Sequence, residues 1–433
     1  MEKLKKSLTF LEAIALVVGG VIGSGIFLKP GIVFNNAGSP MLGLMAWVVG
    51  GIVTLASALT IAEIASAIPK TGGLYVYLED LFGDIWGFLL GWVQTIITFP
   101  ASVAALAIAF SLFSTFFIPM TPWQQKFLAI GVMLFVMLMN IIATKVGGII
   151  QTVATIGKLL PIAAIIGFGL IKGTAHDFST IAVATAGAGF GAAVLGTLWA
   201  YDGWVEVANV AEEFIKPSFL SRALFLGVGI VVLVYISINV AMLNVIPIDS
   251  IIASPKPAID IAVILFGTSA ATFVTAGIMV SVFGTLNAFT MTGARVPFAM
   301  GDRRQLPYSS LLSKVHPKFK TPANSLLFQA GLAVVYILSG TFNTLTDLLV
   351  FVLWIFFTMG VFGIFILRKK AEKYKPTYRV PFYPWVPIIG IVGGTYIVFT
   401  TIIGQPINSM IGIGITLVGV PVFYYLKSKS TAC

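Results

Sequence analysis

Three features of this chain could do chemistry, and none is a conventional catalytic set. The first is the run VVGGVIGSGIFLKPG at 17–31, where Gly23, Ser24 and Gly25 interrupt an apolar stretch. The second is AYDGW, Ala200 to Trp204, which interrupts another and carries Asp202. The third is Lys158, alone in VATIGKLLPIAAIIGFGLI. Glycine is a poor helix former, and unpaired backbone in hydrocarbon costs several kcal/mol per group. A helix broken mid-membrane exposes N–H groups that favour anions on one side and carbonyls that favour cations on the other. An outer half-helix starting near Ile26 would receive a carboxylate, and an inner half ending near Val21 would receive an ammonium. Residues 199–203 should do the same in their own span. A zwitterionic α-amino acid matches both poles. The competing reading of GSG is a small-residue packing patch between helices; the matched break at AYDGW weighs against it.

Asp202 and Lys158 are the charged groups at depth. A carboxylate there costs about 3 kcal/mol on insertion scales, which makes Asp202 a functional candidate. It either selects cationic substrate side chains or caps the unwound segment locally. Lys158 lies 13 residues from Lys145 and 14 from Lys172. At 1.5 Å per residue that is about 20 Å from either end, too deep to snorkel. A buried ammonium finds acceptors or loses its proton; the bland alternative is a lysine lining an aqueous cleft. Tyr235 and Asn287 are polar residues in apolar spans, and either line the cavity or make interhelical hydrogen bonds. Glu63, Glu212 and Glu213 read as structural or gating charges, and Pro161 as a hinge in the span of Lys158.

The elements that must position these groups are membrane spans. The chain has 433 residues, 58% hydrophobic and only 10% charged, against roughly 25% charged in soluble domains. Its mean hydropathy is +1.01. The net charge of +10 reads as basic cytoplasmic loops rather than nucleic-acid binding. The single cysteine, Cys433, and two loop histidines, His176 and His316, offer no disulfide, metal site or cofactor ligand. No Ser/His/Asp set or phosphate loop suggests an enzyme, and no charge rings or filter motif suggest a channel.

A span needs roughly 20 apolar residues. Twelve stretches qualify: 10–35, 41–68, 82–113, 126–144, 147–171, 188–214, 222–246, 270–298, 323–340, 343–367, 386–403 and 408–426. Of the 26 Lys and Arg, this topology places 21 on the N-terminal side and four, Lys29, Lys126, Lys172 and Lys256, opposite. Lys158 remains within a span. The bias puts both termini in the cytoplasm. Lys3, Lys5 and Lys6 ahead of an apolar run imitate a signal peptide, but span follows span, so the first is read as uncleaved. The breaks lie five spans apart, each in the first helix of a five-span unit, 8–172 and 187–368. Because five is odd, the units have inverted topology, the pattern that points to a transporter site. Residues 384–427 form two further helices outside the repeat. The expectation is one all-α transporter domain over 1–433.

GSGIF followed by PG, then AEIASAIPKTGGLYVYLED, TIGKLLPI, WAYDGW and RQLP…VHPKFKTP, resembles the amino acid–polyamine–organocation superfamily. Within it the chain resembles the L-amino acid transporter family, especially bacterial serine/threonine- or alanine/serine-type exchangers. The resemblance covers essentially the whole chain. It implies a leucine-transporter-like five-plus-five fold and alternating access, hence sodium-independent exchange of small neutral L-amino acids. Proton symport and inclusion of cationic amino acids stay open. Carried over by motif, the site comprises Val21, Ile22, Gly23, Ser24, Gly25, Ile26, Trp199, Ala200, Tyr201, Asp202 and Gly203. The substrate carboxylate would meet the N–H groups of Ser24 and Gly25, with the Ser24 hydroxyl assisting. The ammonium would meet carbonyls of Val21, Trp199 and Asp202, and Trp199 would be the aromatic gate. Lys158 would replace a sodium ion, partnered by carbonyls of the first span and by Ser281. Animal relatives take a disulfide-linked glycoprotein partner through the loop FSTFFIPMTPWQQ, which here lacks cysteine, so that partner is not expected. The resemblance implies a stand-alone multi-pass protein of the bacterial plasma membrane, with L-amino acids and the lipid bilayer as its partners.

Overall fold

The structure, a computed structural model, describes residues 9–68, 73–142, 144–175, 178, 189–205, 218–370, 372 and 374–431. Every regular element among them is a helix. The first half comprises α1 (Phe10–Val21), α2 (Gly25–Ala37), α3 (Pro40–Ala67), α4 (Leu74–Phe82), α5 (Asp84–Val93), α6 (Phe99–Ser114), α7 (Pro122–Ile142) and α8 (Thr144–Lys172). The second half comprises α9 (Phe190–Tyr201), α10 (Ser218–Val245), α11 (Ile248–Ala253), α12 (Pro257–Gly293), α13 (Arg295–Asp302), α14 (Ser309–Leu312), α15 (Ala323–Ser339) and α16 (Phe342–Lys369). It is followed by α17 (Trp385–Gly404) and α18 (Pro406–Thr431).

Among the described residues, eight helices are long and apolar enough to cross a membrane, or nine if α1 and α2 form one bent span. This is a multi-pass membrane protein. The inner elements α3, α5–α6 and α16 bury most of their surface, whereas α7, α17 and α18 turn most of theirs outward. Local sequence explains where several helices start. Thr9 and Glu12 form a reciprocal cap at α1, satisfying N–H groups that the first turn leaves unpaired. Ser39 accepts from the Leu42 N–H at 3.2 Å with Pro40 at the first helical position of α3, and Thr341 with Thr344 caps α16.

Two departures from regular helix have visible causes. Between α5 and α6, Gln94–Thr98 is a π-helical turn. Pro100 has no N–H to give the carbonyl four residues back; the Tyr336 hydroxyl of α15 donates to that Ile96 carbonyl instead, at 3.0 Å. In α12 the chain turns at Gly267, φ 73°, a left-handed conformation that a Cβ would penalise. The expected span at 270–298 therefore begins after this turn, inside a longer helix. The expected start at residue 82 also moves: Phe82 ends α4, and Gly83, at φ 107°, separates it from α5. Helix α8 runs through Pro161 without interruption. Residues 206–217, with Glu212 and Glu213, lie outside the described residues, as do Lys3, Lys5, Lys6, His176 and Cys433.

Candidate functional site

The first break lies where the glycines are. Helix α1 ends at Val21, Ile22 leaves helical geometry at φ −70°, ψ 104°, and α2 starts at Gly25, with the two helices bent by 52°. The Ile22 N–H still donates to Val18, closing α1. Among the described residues, the N–H groups of Ser24, Gly25 and Ile26 donate to no backbone carbonyl. The Ser24 side chain does not cap α2; its hydroxyl is buried and makes no hydrogen bond. Four donors thus converge at the N-terminus of α2, the end of a helix that favours negative charge.

The second break is at Asp202 and Gly203. Helix α9 ends at Tyr201, Asp202 is extended at ψ 157°, and Gly203 takes φ 104°. The Asp202 N–H donates to Trp199 at 3.3 Å. Among the described residues the Asp202 carboxylate has no ion-pair partner.

The two breaks meet backbone to backbone. A Cβ on Gly25 would stand 2.6 Å from the Ala200 Cα, and one on Gly203 would stand 2.6 Å from the Gly20 carbonyl oxygen. Glycine at both positions is what lets the strands of unwound chain touch. Gly23 is looser: its nearest neighbour is the Thr285 methyl of α12, at 3.7 Å. Tyr235 of α10 ties the breaks together. Its buried hydroxyl lies 2.8 Å from the Ala200 carbonyl and 3.2 Å from that of Val21. These are interhelical hydrogen bonds, from α10 to both breaks.

Lys158 is 2% exposed. Its ammonium donates to the carbonyls of Gly19 and Ile22, the latter at 2.7 Å. The Lys158 side chain of α8 thus holds the C-terminal end of α1, where free carbonyls concentrate negative potential. Ser281 is not among its partners; that buried hydroxyl makes no hydrogen bond. The nearby turn of α12 is closed by Thr285 donating to the Ser281 carbonyl at 3.0 Å.

Other expected residues point elsewhere. The Tyr201 hydroxyl leaves the break and donates to the Trp47 carbonyl of α3 at 2.9 Å. Its ring joins those of Trp47 and Tyr235 in a buried aromatic cluster, so Tyr201 supports the break by packing. Asn287 accepts from the Asn140 side chain of α7 at 2.8 Å, an interhelical hydrogen bond. Two of the carbonyls expected to receive an ammonium, Val21 and Trp199, already accept one hydrogen bond each; a carbonyl has a second lone pair to offer. Trp199, 7% exposed, packs against Phe289 of α12 with tilted rings and edge-on against Phe342 of α16, at 6.4 and 6.1 Å between ring centres.

Sequence reasoning missed the groups beyond that aromatic layer. The Lys29 ammonium of α2 is wholly buried, sits 5.6 Å from the Phe342 ring centre and pairs with Asp347 of α16 at 2.8 Å. The other Asp347 oxygen accepts from Gln405 at 3.1 Å. At the opposite end, Arg368 donates twice to Glu63, at 3.0 and 2.8 Å, and the Val380 N–H donates to the same carboxylate at 2.6 Å. Glu63 is therefore a structural clasp between α3, α16 and the segment after it. Among the described residues no group of His, Cys, Asp and Glu could hold a metal ion.

The site can be compared with known proteins. A family model described as amino acid permease matches residues 8–425. The serine/threonine exchanger SteT of Bacillus subtilis (strain 168) is 43% identical over 99% of this chain and 98% of its own length. Large neutral amino acids transporter small subunit 2 of Mus musculus is 31% identical over 97% of this chain and 81% of its own. The b(0,+)-type amino acid transporter 1 of Mus musculus is 30% identical over 98% of this chain and 88% of its own. A multi-pass helical bundle, two glycine breaks pressed together at its centre and these end-to-end similarities have one conclusion: the chain belongs to the amino acid permease family.

Proposed function

We propose that this protein exchanges small neutral L-amino acids across the bacterial plasma membrane, without sodium, by alternating access. The observation that carries the reading is the donor set of Ser24, Gly25 and Ile26, without partners among the described residues, beside the broken end of α9. A carboxylate placed there satisfies donors that hydrocarbon would leave exposed, and the α1 and α9 carbonyls face the ammonium. The serine/threonine exchanger of Bacillus supports the substrate class.

In this reading the helices belong to twelve spans: α1 with α2, α3, α5 with α6, α7, α8, α9, α10, α12, α15, α16, α17 and α18. The first ten make two inverted five-span repeats, and both termini face the cytoplasm. Lys158 supplies the positive charge that makes a sodium ion unnecessary. Trp199 with Phe289 and Phe342 covers the site, and the Lys29–Asp347 pair closes the far side.

Counterflow in proteoliposomes tests this. Vesicles loaded with unlabelled serine should take up labelled serine faster than empty vesicles, at equal rates in sodium and choline. Uptake that needs sodium, or that ignores the internal amino acid, would refute the reading. A second reading, in which cationic amino acids are included, rests on the Asp202 carboxylate having no ion-pair partner among the described residues. Asp202→Asn with an unchanged arginine-to-serine uptake ratio would dismiss it.

A further inference from the structure

Outside the transport site, the end of the bundle that carries the chain's N-terminus holds an unexplained pair of arginines. A cavity of about 390 Å³ opens there, lined by Phe10, Leu59, Arg222, Phe225, Tyr378 and Arg379 among others. Arg222 lies near the start of α10, and Arg379 in the segment after α16. Both side chains are exposed, and neither belongs to any ion pair among the described residues. Glu63, the nearest acidic anchor of that segment, is already engaged by Arg368. Burial, with the Glu63 carboxylate adding to it, pushes Tyr378 up to about 12, so its hydroxyl keeps its proton at neutral pH.

The cavity continues as an apolar track. Phe225, Leu226, Ile230 and Leu233 come after Arg222 on one side of α10 and are 53%, 43%, 42% and 67% exposed. Gly229 lies between them, and a Cβ there would meet nothing within 4 Å. The track from Arg222 to Leu233 is about 16 Å long at 1.5 Å per residue, on the scale of one hydrocarbon leaflet. Two guanidiniums without an ion-pair partner among the described residues, and a shallow apolar groove leading away from them, match a molecule with an anionic head and an acyl tail. Arginine's planar fork suits phosphate, and basic pockets between spans at the cytoplasmic side are favourable places for anionic head groups.

We infer that this cavity binds one anionic phospholipid of the adjoining leaflet, its phosphate between Arg222 and Arg379 and an acyl chain along α10 over Gly229. The site is separate from the two helix breaks, so its test does not depend on transport. Native mass spectrometry of the detergent-purified protein with added phosphatidylglycerol provides it. The wild-type chain should retain one phosphatidylglycerol and not retain phosphatidylcholine. R222Q/R379Q should lower retention about thirtyfold, roughly fivefold per arginine, while R222K/R379K keeps most of it. Gly229→Leu, which fills the groove without changing charge, should lower retention as well. Equal retention by the wild type and R222Q/R379Q, or equal binding of phosphatidylcholine, would overturn the proposal. Displacement of the lipid by inorganic phosphate at comparable concentration would assign the arginines to a soluble anion and overturn it too.

Discussion

At the residue scale, the glycines of the breaks divide by what a methyl group would meet. Gly25→Ala would press its Cβ against the Ala200 backbone at 2.6 Å, and backbone cannot swing aside as a side chain can. Overpacking of this kind costs about 1–3 kcal/mol, so Gly25→Ala should both melt earlier in detergent and lose counterflow. Gly23→Ala, with 3.7 Å to its nearest neighbour, should melt like the wild type. Equal melting of the two variants would show that Gly25 matters for ligand approach alone. Lys158→Met should also melt earlier, by the roughly 1–3 kcal/mol of leaving buried acceptors unsatisfied, because the Gly19 and Ile22 carbonyls lose their donor; an unchanged melting temperature would remove Lys158 from its clamping role. Lys158 was legible in the sequence because depth alone makes a lysine conspicuous. Lys29 was not, since a lysine near a span's end reads as an interfacial charge. Its partner Asp347 lies 318 residues away, a separation that no local pattern reveals.

At the element scale, both breaks could be read from glycine and from a charge inside an apolar run, because these are local violations of helix chemistry. The π-helical turn before α6 could not, since it depends on Tyr336 arriving from α15 to replace what Pro100 lacks. The closure of the far side belongs to this class as well. It joins α2 to α16 through an ion pair whose lysine is wholly buried, and in the proposed reading the far end stays shut while the pair holds. Breaking one partner strands a buried charge at a cost of about 3–5 kcal/mol, whereas replacing both with apolar groups is often neutral or stabilising. Asp347→Leu alone should therefore destabilise the protein strongly. Lys29→Met with Asp347→Leu should restore the melting temperature yet slow exchange, because the ionic link between α2 and α16 would be gone. A double variant as unstable as the single one would show that the pair does not act as a unit.

At the scale of the whole molecule, the distribution of charge makes the strongest claim. Twenty-one of the 26 Lys and Arg fall on one side of the proposed topology, a bias that a single missed span would scatter over both faces. The clasp of Glu63 with Arg368 and the hydrogen bond from Tyr75 to Gln305 at 2.6 Å hold loops of that basic side together. Lys29, Lys126, Lys172 and Lys256 mark the other. The chain offers a clean way to test sidedness, because its one cysteine is Cys433. In a Cys433→Ser background, Ser310→Cys in the short α14 should be labelled by a membrane-impermeant thiol reagent only after the cells are opened. Thr174→Cys, just beyond α8, should be labelled in intact cells. Both positions fall outside the membrane-spanning helices, so their accessibility reports orientation rather than burial. The opposite pattern would invert the molecule. It would also place the Lys29–Asp347 latch on the cytoplasmic face. Labelling of both positions from one side would break the odd number of spans that the proposed topology places between α8 and α14, and with it the twelve-span reading.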